Sequence, residues 1–290
     1  MMAMNSRTWL NLALVLLVTA LAAVVYFQPG KKIEPVAPRL TTLDAQQVKQ
    51  LRLSNEQGEV VLQRVGEQWQ LQQPLTLAAN KFRVDRLLHW LTVSSVQSYA
   101  VAGFDLTKFG LDQPQAILVA DGLKLQFGSL DPLNHRRYLL LNDQIHLVAE
   151  SDLTAPTSPW NYFVAPTIVP TGARIKGIAI PGLGEITQGE KGWDYRGTTP
   201  PASADAMQSL VDSWSSAQAL SVEPVLLRDA HEQVVITFAD ERPPLTLMLS
   251  RGDDGLVLIP VGVGIEYHLS SEHGAMLLQW PESISNLIVN

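Results

Sequence analysis

The densest group of chemistry-bearing residues is Asp131-Pro132-Leu133-Asn134-His135-Arg136-Arg137-Tyr138. Oriented by Asp131, His135 could act as a general base, with Arg136 or Arg137 receiving an anion. The same residues also describe a long solvated hairpin loop whose charges stay in water. No second cluster supplies a nucleophile or an oxyanion hole. The chain has no Gly-x-Ser-x-Gly elbow, no Walker loop and no His-Glu-x-x-His pair. Gly262-Val263-Gly264 lacks the third glycine of a dinucleotide fingerprint and reads as a turn, as does Arg251-Gly252-Asp253-Asp254-Gly255. The histidines at 89, 135, 146, 231, 268 and 273 show no paired metal spacing. Cysteine is absent, which removes thiolate nucleophiles, disulfides, iron–sulfur clusters and cysteine-based zinc sites together. The expectation is a protein that is not an enzyme, with no catalytic residue, cofactor or metal.

The elements that would carry any site must be read from the whole chain. Its 290 residues are 46% hydrophobic and 17% charged, with a formal net charge of -7. That is ample apolar material for two ordinary cores. The acidic balance, with no basic run longer than Lys31-Lys32 or Arg136-Arg137, argues against a nucleic-acid partner.

The amino terminus points to a membrane. From Trp9 to Phe27 the chain is charge-free, and only Asn11 and Thr19 are polar. At about 1.5 Å per residue, such a helix nearly spans a hydrocarbon layer roughly 30 Å thick. Trp9 and Tyr26 stand at its ends, where amphipathic rings favour the interface. Leu10, Leu16, Leu17, Leu21, Val25 and Phe27 complete the apolar surface. A buried core helix would not be apolar all round. Ala20-Leu21-Ala22 resembles a signal-peptide cleavage site, but Ala23 to Phe27 carries the apolar run beyond it. The reading is an uncleaved single-pass anchor at 9–27, a cytoplasmic tail at 1–8 and a Pro-containing stem at 28–44. The bulk of the chain is expected in the periplasm of a bacterium.

Beyond the stem the chain repeats itself. Val48 to Leu53 alternates apolar and polar residues and reads as a strand; a second and third strand follow, the third around Trp69, and Pro74 closes the meander. Ile175 to Ile180 opens a like series, with Trp193 where Trp69 stood and Thr199-Pro200-Pro201 at the end. Asn80 can cap a helix with Val84, Leu87, Leu88 and Leu91 on one face. Ser203 can cap another with Met207, Leu210, Val211 and Trp214. The two faces superpose with a shift of 123 residues (Val84 to Met207), one less than the Trp69 to Trp193 shift. A ligand platform need not recur in a duplicated unit, whereas a packing residue does. Trp69, Leu88, Trp193 and Val211 therefore serve as markers of the repeat, with both tryptophan rings expected against their own helices. Hairpins follow each helix, the first turning at Asp121-Gly122 and Asn142-Asp143. The fold class expected is α+β: a transmembrane helix, then two tandem repeats (45–152 and 174–290), each an antiparallel sheet with one helix. A Pro-rich linker or packed crossover, 153–173, joins them.

The meander, the helix, Phe109-Gly110-Leu111-Asp112-Gln113-Pro114 and the hairpin Arg137 to Val148 form a recognisable layout. It resembles the bacterial domain-of-unknown-function family numbered four-three-four-zero over roughly residues 45 to 220. The family carries no established activity to transfer. The resemblance implies an accessory role in the cell envelope, since some members are encoded beside ABC-type systems related to gliding-motility exporters. Physically, FGLDQP reads as a turn, with Gly110 at positive φ and Pro114 directing the next strand. Its other reading is a partner-binding tip made of Phe109, Leu111, Asp112 and Pro114, with His135 and Arg136 as further contacts. The second repeat has Leu226-Leu227-Arg228-Asp229 in that slot. The leading expectation is thus a membrane-tethered scaffold with envelope protein partners; the alternative is a periplasmic binding module for a glycan, lipid or peptide in a groove between the repeats.

Overall fold

The computed structural model describes residues 6–27, 37–198, 201, 203–226, 230–252 and 255–281, which fall into two compact units, residues 1–38 and 39–290. The first contains one helix, α1 (Ser6–Phe27). Where its side chains are described, from Trp9 to Ala23, all are exposed. Among the described residues no helix is long and apolar enough to cross a membrane. The side chains of Val25, Tyr26 and Phe27, with most of the stem, lie outside the described residues. So do Thr199-Pro200, Leu227-Arg228-Asp229 and Asp253-Asp254.

The second unit is built on two antiparallel sheets. Its first half comprises β1 (Gln50–Asn55), β2 (Gly58–Val65), β3 (Gln68–Gln73), β4 (Leu77–Ala78), α2 (Lys81–His89), β5 (Ser95–Ala100), β6 (Ala116–Ala120), β7 (Leu123–Leu130), β8 (Arg137–Leu141) and β9 (Gln144–Val148). The crossover carries a short helix, α3 (Thr154–Thr157). The second half comprises β10 (Ile175–Ile180), β11 (Gly184–Gly189), β12 (Gly192–Arg196), α4 (Ala204–Ser216), β13 (Ser221–Pro224), β14 (Glu232–Phe238), β15 (Leu245–Gly252), β16 (Gly255–Pro260), β17 (Ile265–Leu269) and α5 (Ser271–Leu278). The sheet orders are β4-β3-β2-β1-β6-β7-β8-β9-β5 and β12-β11-β10-β14-β15-β16-β17-β13. Apart from the two-residue β4, the second order repeats the first strand for strand. In each half the strand after the helix crosses to the far edge and pairs with the last strand.

Local chemistry explains the elements. The Asn80 side chain accepts from Arg83 N, and the Ser203 side chain from Ala206 N, so both helices begin at the expected caps. Val84, Leu87, Leu88 and Leu91 are buried, as are Met207, Leu210, Val211 and Trp214. Trp69 and Trp193 each stand second in their strands, β3 and β12. Trp69 is buried with the Arg64 guanidinium 4.7 Å over its ring, and the half-buried Trp193 donates to Gln208 Oε1 of α4 at 2.6 Å. Asp121 and Asn142-Asp143 adopt the left-handed backbone of tight hairpins. The Asp121 carboxylate also accepts from Lys49 N and Gln50 N, tying that turn to the start of β1.

Two expectations need correction. Among the described residues the second half holds two helices: Ser270 caps α5, whose Gly274 sits on Leu256 and whose Leu277 carbonyl accepts from Trp214 Nε1 at 2.8 Å. Lacking a periodic apolar face, α5 could not be read from pattern. The edge strands β4, β5 and β13 also went unanticipated, because strong alternation marks only strands with one face on the core.

Residues 153–173 form a packed crossover. Phe163, Val164, Ile168 and Val169 are buried. Asn80 N donates to Phe163 O at 2.7 Å and Ala165 N to Ala78 O at 2.8 Å, while Ile168 N donates to Ala217 O and Ala219 N to Pro166 O. One buried segment is thus hydrogen-bonded beside α2 in one half and α4 in the other. Apolar residues of both sheets join it in a continuous core. Replacing Phe163 with Ala should lower unfolding free energy by about 3–5 kcal/mol, the usual cost of emptying a buried aromatic site. The loss should appear as one shifted urea transition, whereas Phe82→Ala, at a side chain 82% exposed on α2, should leave the midpoint in place.

Candidate functional site

The segment from β5 to β6 folds back over the outer face of the first sheet. Asp105 caps a 3-10 turn, Leu106–Phe109, by accepting from Thr107 N, and Gly110 ends it at φ 62°. Gly110 N and Leu111 N donate to Thr107 O and Leu106 O, both at 3.1 Å. The chain can lie this close only because Gly128 of β7 has no side chain. A Cβ there would meet Phe109 O at 2.4 Å and Leu111 at 2.9 Å. Beyond the turn, Gln115 N donates to Phe127 O and the chain continues into β6.

The flap completes a ridge of aromatic rings. Tyr99 of β5 packs on Phe104 (centroids 5.9 Å), Phe104 on Phe109 (5.9 Å), and Phe109 on Tyr138 of β8 (4.9 Å). Cross-strand pairing puts Tyr99 beside Ile145 and Tyr138 beside Leu147. Ile145, Leu147 and Leu111 are buried but belong to none of the main core, so they form a second apolar layer on this face. The ridge itself stays wet: Tyr99 is 43% and Phe104 46% exposed, with Leu130 and Leu133 exposed nearby. Burial first, then the negative charge of Asp131 and Tyr99, raises the Tyr138 phenol above its ordinary value.

Of the expected partner contacts, Phe109 is half-buried in the ridge, Asp112 is exposed and Pro114 is half-buried. Leu111 is buried and faces inward, so it can present nothing to a partner. His135 is exposed and Arg136 half-buried in the loop leading to Tyr138. Two separate sequence features, FGLDQP and the polar loop, therefore meet at Phe109 and Tyr138. Tyr99 and Phe104 escaped sequence reasoning. Their five-residue spacing toward Phe109, in a stretch without charge until Asp105, was the available signal.

The acid–base reading of this loop lacks its geometry. The Asp131 carboxylate accepts from Asn134 Nδ2 at 2.8 Å and from the backbone N–H groups of Asn134 and Leu133. The Asn134 bond is the chief reason its carboxyl titrates below the usual range. Asp131 thus builds the turn, and His135, at φ 53°, is bound to it through backbone: His135 N donates to Asp131 O at 3.0 Å. Arg137 points inward, donating to Gly128 O, Ser151 O and Gln115 Oε1. It ties the Gln115 end of the flap to β7 and to the chain beyond β9, and is not placed to receive an anion.

The corresponding face of the second sheet differs. Where β9 turns Ile145 and Leu147 outward, β17 turns out Glu266 and His268, joined Oε1 to Nε2 at 2.8 Å. Glu266 is fully buried, and its Oε2 accepts from Leu226 N. Burying a carboxylate requires such partners. Among the described residues, no group of three His, Cys, Asp or Glu side chains could hold a metal ion.

Gly128→Ala tests whether the flap depends on close approach. It should push residues 109–111 off β7 and destabilise the protein by about 1–3 kcal/mol, as overpacking does. The Gly110 and Leu111 amides should then exchange hydrogen markedly faster. Unchanged exchange would mean that the flap is held in some other way.

No curated protein and no solved structure matches the chain. A family model described as a domain of unknown function, DUF4340, matches residues 69–247. The matched region runs from Trp69 in β3 through the flap, the ridge and the crossover into β15, further into the second sheet than the sequence resemblance reached. Since the match covers more than half of its length, the chain belongs to the DUF4340 family.

Proposed function

We propose that this is a membrane-tethered periplasmic accessory protein, a non-enzymatic scaffold that docks on an envelope complex such as an ABC-type transporter. The observation that carries the reading is the aromatic ridge: four rings in contact on one face, partly exposed, with no catalytic constellation beside them. Aromatic residues at an exposed patch favour protein contacts, because they bury large area at small entropic cost. The helix α1 supports the tether. Its large apolar side chains from Trp9 to Leu21 are exposed, and such a surface calls for an apolar environment. Four of the six tryptophans of the two-sheet body, Trp69, Trp90, Trp214 and Trp280, are buried, and Trp160 and Trp193 are half-buried, which favours a scaffold over a glycan- or lipid-binding module built on exposed stacking rings.

The full chain should remain in the membrane fraction after alkaline washing, and protease added to spheroplasts should cleave its body. A photo-crosslinking residue at Leu133 or Phe104 should trap a reproducible membrane protein. Release of the chain into the soluble fraction would contradict the tether. Failure to trap any reproducible protein from either position would contradict the scaffold.

A further inference from the structure

A sheet edge is a row of unpaired backbone donors and acceptors, and proteins blunt such edges with charge, proline, short strands or cover. Among the described residues, three of the four sheet edges are blunted. The strand β4 has only two residues, and its neighbour Ala79 bridges Val164 of the crossover. On β13, Glu223 and Pro224 occupy half the strand, and Asn161 Nδ2 covers the Val222 carbonyl at 2.8 Å. In β12, Asp194 and Arg196 alternate with the aromatics, and Arg196 reaches Glu185.

The fourth edge, β5, reads Ser95-Val96-Gln97-Ser98-Tyr99-Ala100, and all but Ser95 are exposed. It has neither charge nor proline. A bulge between Ser95 and Gln97 is its one irregularity, leaving Gln97–Ala100 in regular pairing with β9. Among the described residues, the occupied part of this edge is the approach to the strand, where Arg39 bridges Ser94. Among the described residues nothing pairs with the outer side of β5 itself. The neutrality extends well beyond the strand: no charged residue lies between His89 and Asp105, in a chain with 28 acidic and 21 basic residues.

We propose that β5 is the contact between two copies of this chain, pairing antiparallel across a twofold axis so that the two nine-stranded sheets become continuous. Twofold pairing sets a strand against itself, so a charge near the axis meets its own like charge. A neutral strand meets no such repulsion, whereas a net charge of -7 opposes contact between copies over most other surfaces. A neutral strand near the axis thus suits self-pairing, while an edge meant for a different chain gains specificity from charge. The pairing also continues the ridge. Tyr99 lies at the edge end of the four-ring row, so the two rows would meet at the axis as one aromatic strip. This inference does not depend on the membrane tether.

The absence of cysteine provides the test. Residues facing one another across an antiparallel pair have Cα atoms about 4.5–5.5 Å apart, within disulfide reach. One register lets a single residue face its own copy, so one of Ser98→Cys and Gln97→Cys, made singly in the full chain and oxidised mildly in intact cells, should give a covalent dimer of twice the chain mass. Asp194→Cys, on the edge strand β12, should not. Adding Gln97→Lys to Ser98→Cys should reduce dimer yield at least tenfold by placing like charges at the axis. The proposal is overturned if neither β5 cysteine yields the homodimer while the variants remain folded by circular dichroism. It is equally overturned if the β5 cysteines are captured by a different polypeptide, or if Asp194→Cys dimerises as readily.

Discussion

The architecture hangs on the backbone hydrogen bonds of the crossover. A segment buried between two sheets must find partners for its own N–H and C=O groups, or each orphan costs about 1–3 kcal/mol. Here it finds them at Ala78 and Asn80 on one side and at Ala217 and Ala219 on the other. Those positions flank the two amphipathic helices, so the same bonds fix where α2 begins and where α4 ends. Phe163 and Ile168 then fill the space between. Prolines at 159, 166 and 170 suit the role, holding the segment out of helix and removing donors that would need partners, as Pro156 does within α3.

With this joint in place, the halves share one strand order and have diverged on their outer faces. The first sheet turns Ile145 and Leu147 outward and needs an apolar cover, which the flap from Val101 to Gln115 supplies. The second turns Glu266 and His268 outward and satisfies them with each other and with Leu226 N. A single change of chemistry, two apolar residues against a hydrogen-bonded Glu–His pair at matching positions in the last hairpin, thus accompanies a long structured connection in one half and a short one in the other. The surface proposed for protein contacts arises only where the apolar solution was taken.

Much of this was legible from residue patterns. Elements with one face on the core announced themselves through period: Leu51 and Leu53 of β1, the Val84 to Leu91 face, the Met207 to Trp214 face. Turn chemistry at Asp121-Gly122 and Asn142-Asp143 placed two hairpins correctly. The strand β5 was silent because an edge strand with most of its side chains in solvent has no alternation to display. The ridge was silent because it assembles Tyr99, Phe104, Phe109 and Tyr138 from a strand, a loop, a 3-10 turn and another strand, and only tertiary structure brings them together. Arg137 looked like a surface cation beside Arg136. Its burial follows from strand parity, since the residue before the outward-facing Tyr138 must face in.

The account's central claim is that the crossover makes one cooperative body of two like sheets. Native-state hydrogen exchange with increasing denaturant tests it most directly, at the amides of Asn80, Ala165, Ile168 and Ala219. The account predicts that these four open only with the global unfolding that releases Leu118 of β6 and Ile236 of β14, all at one free energy. Exchange of the crossover amides by a separate, lower-energy opening, with the two sheets then unfolding at different free energies, would contradict it.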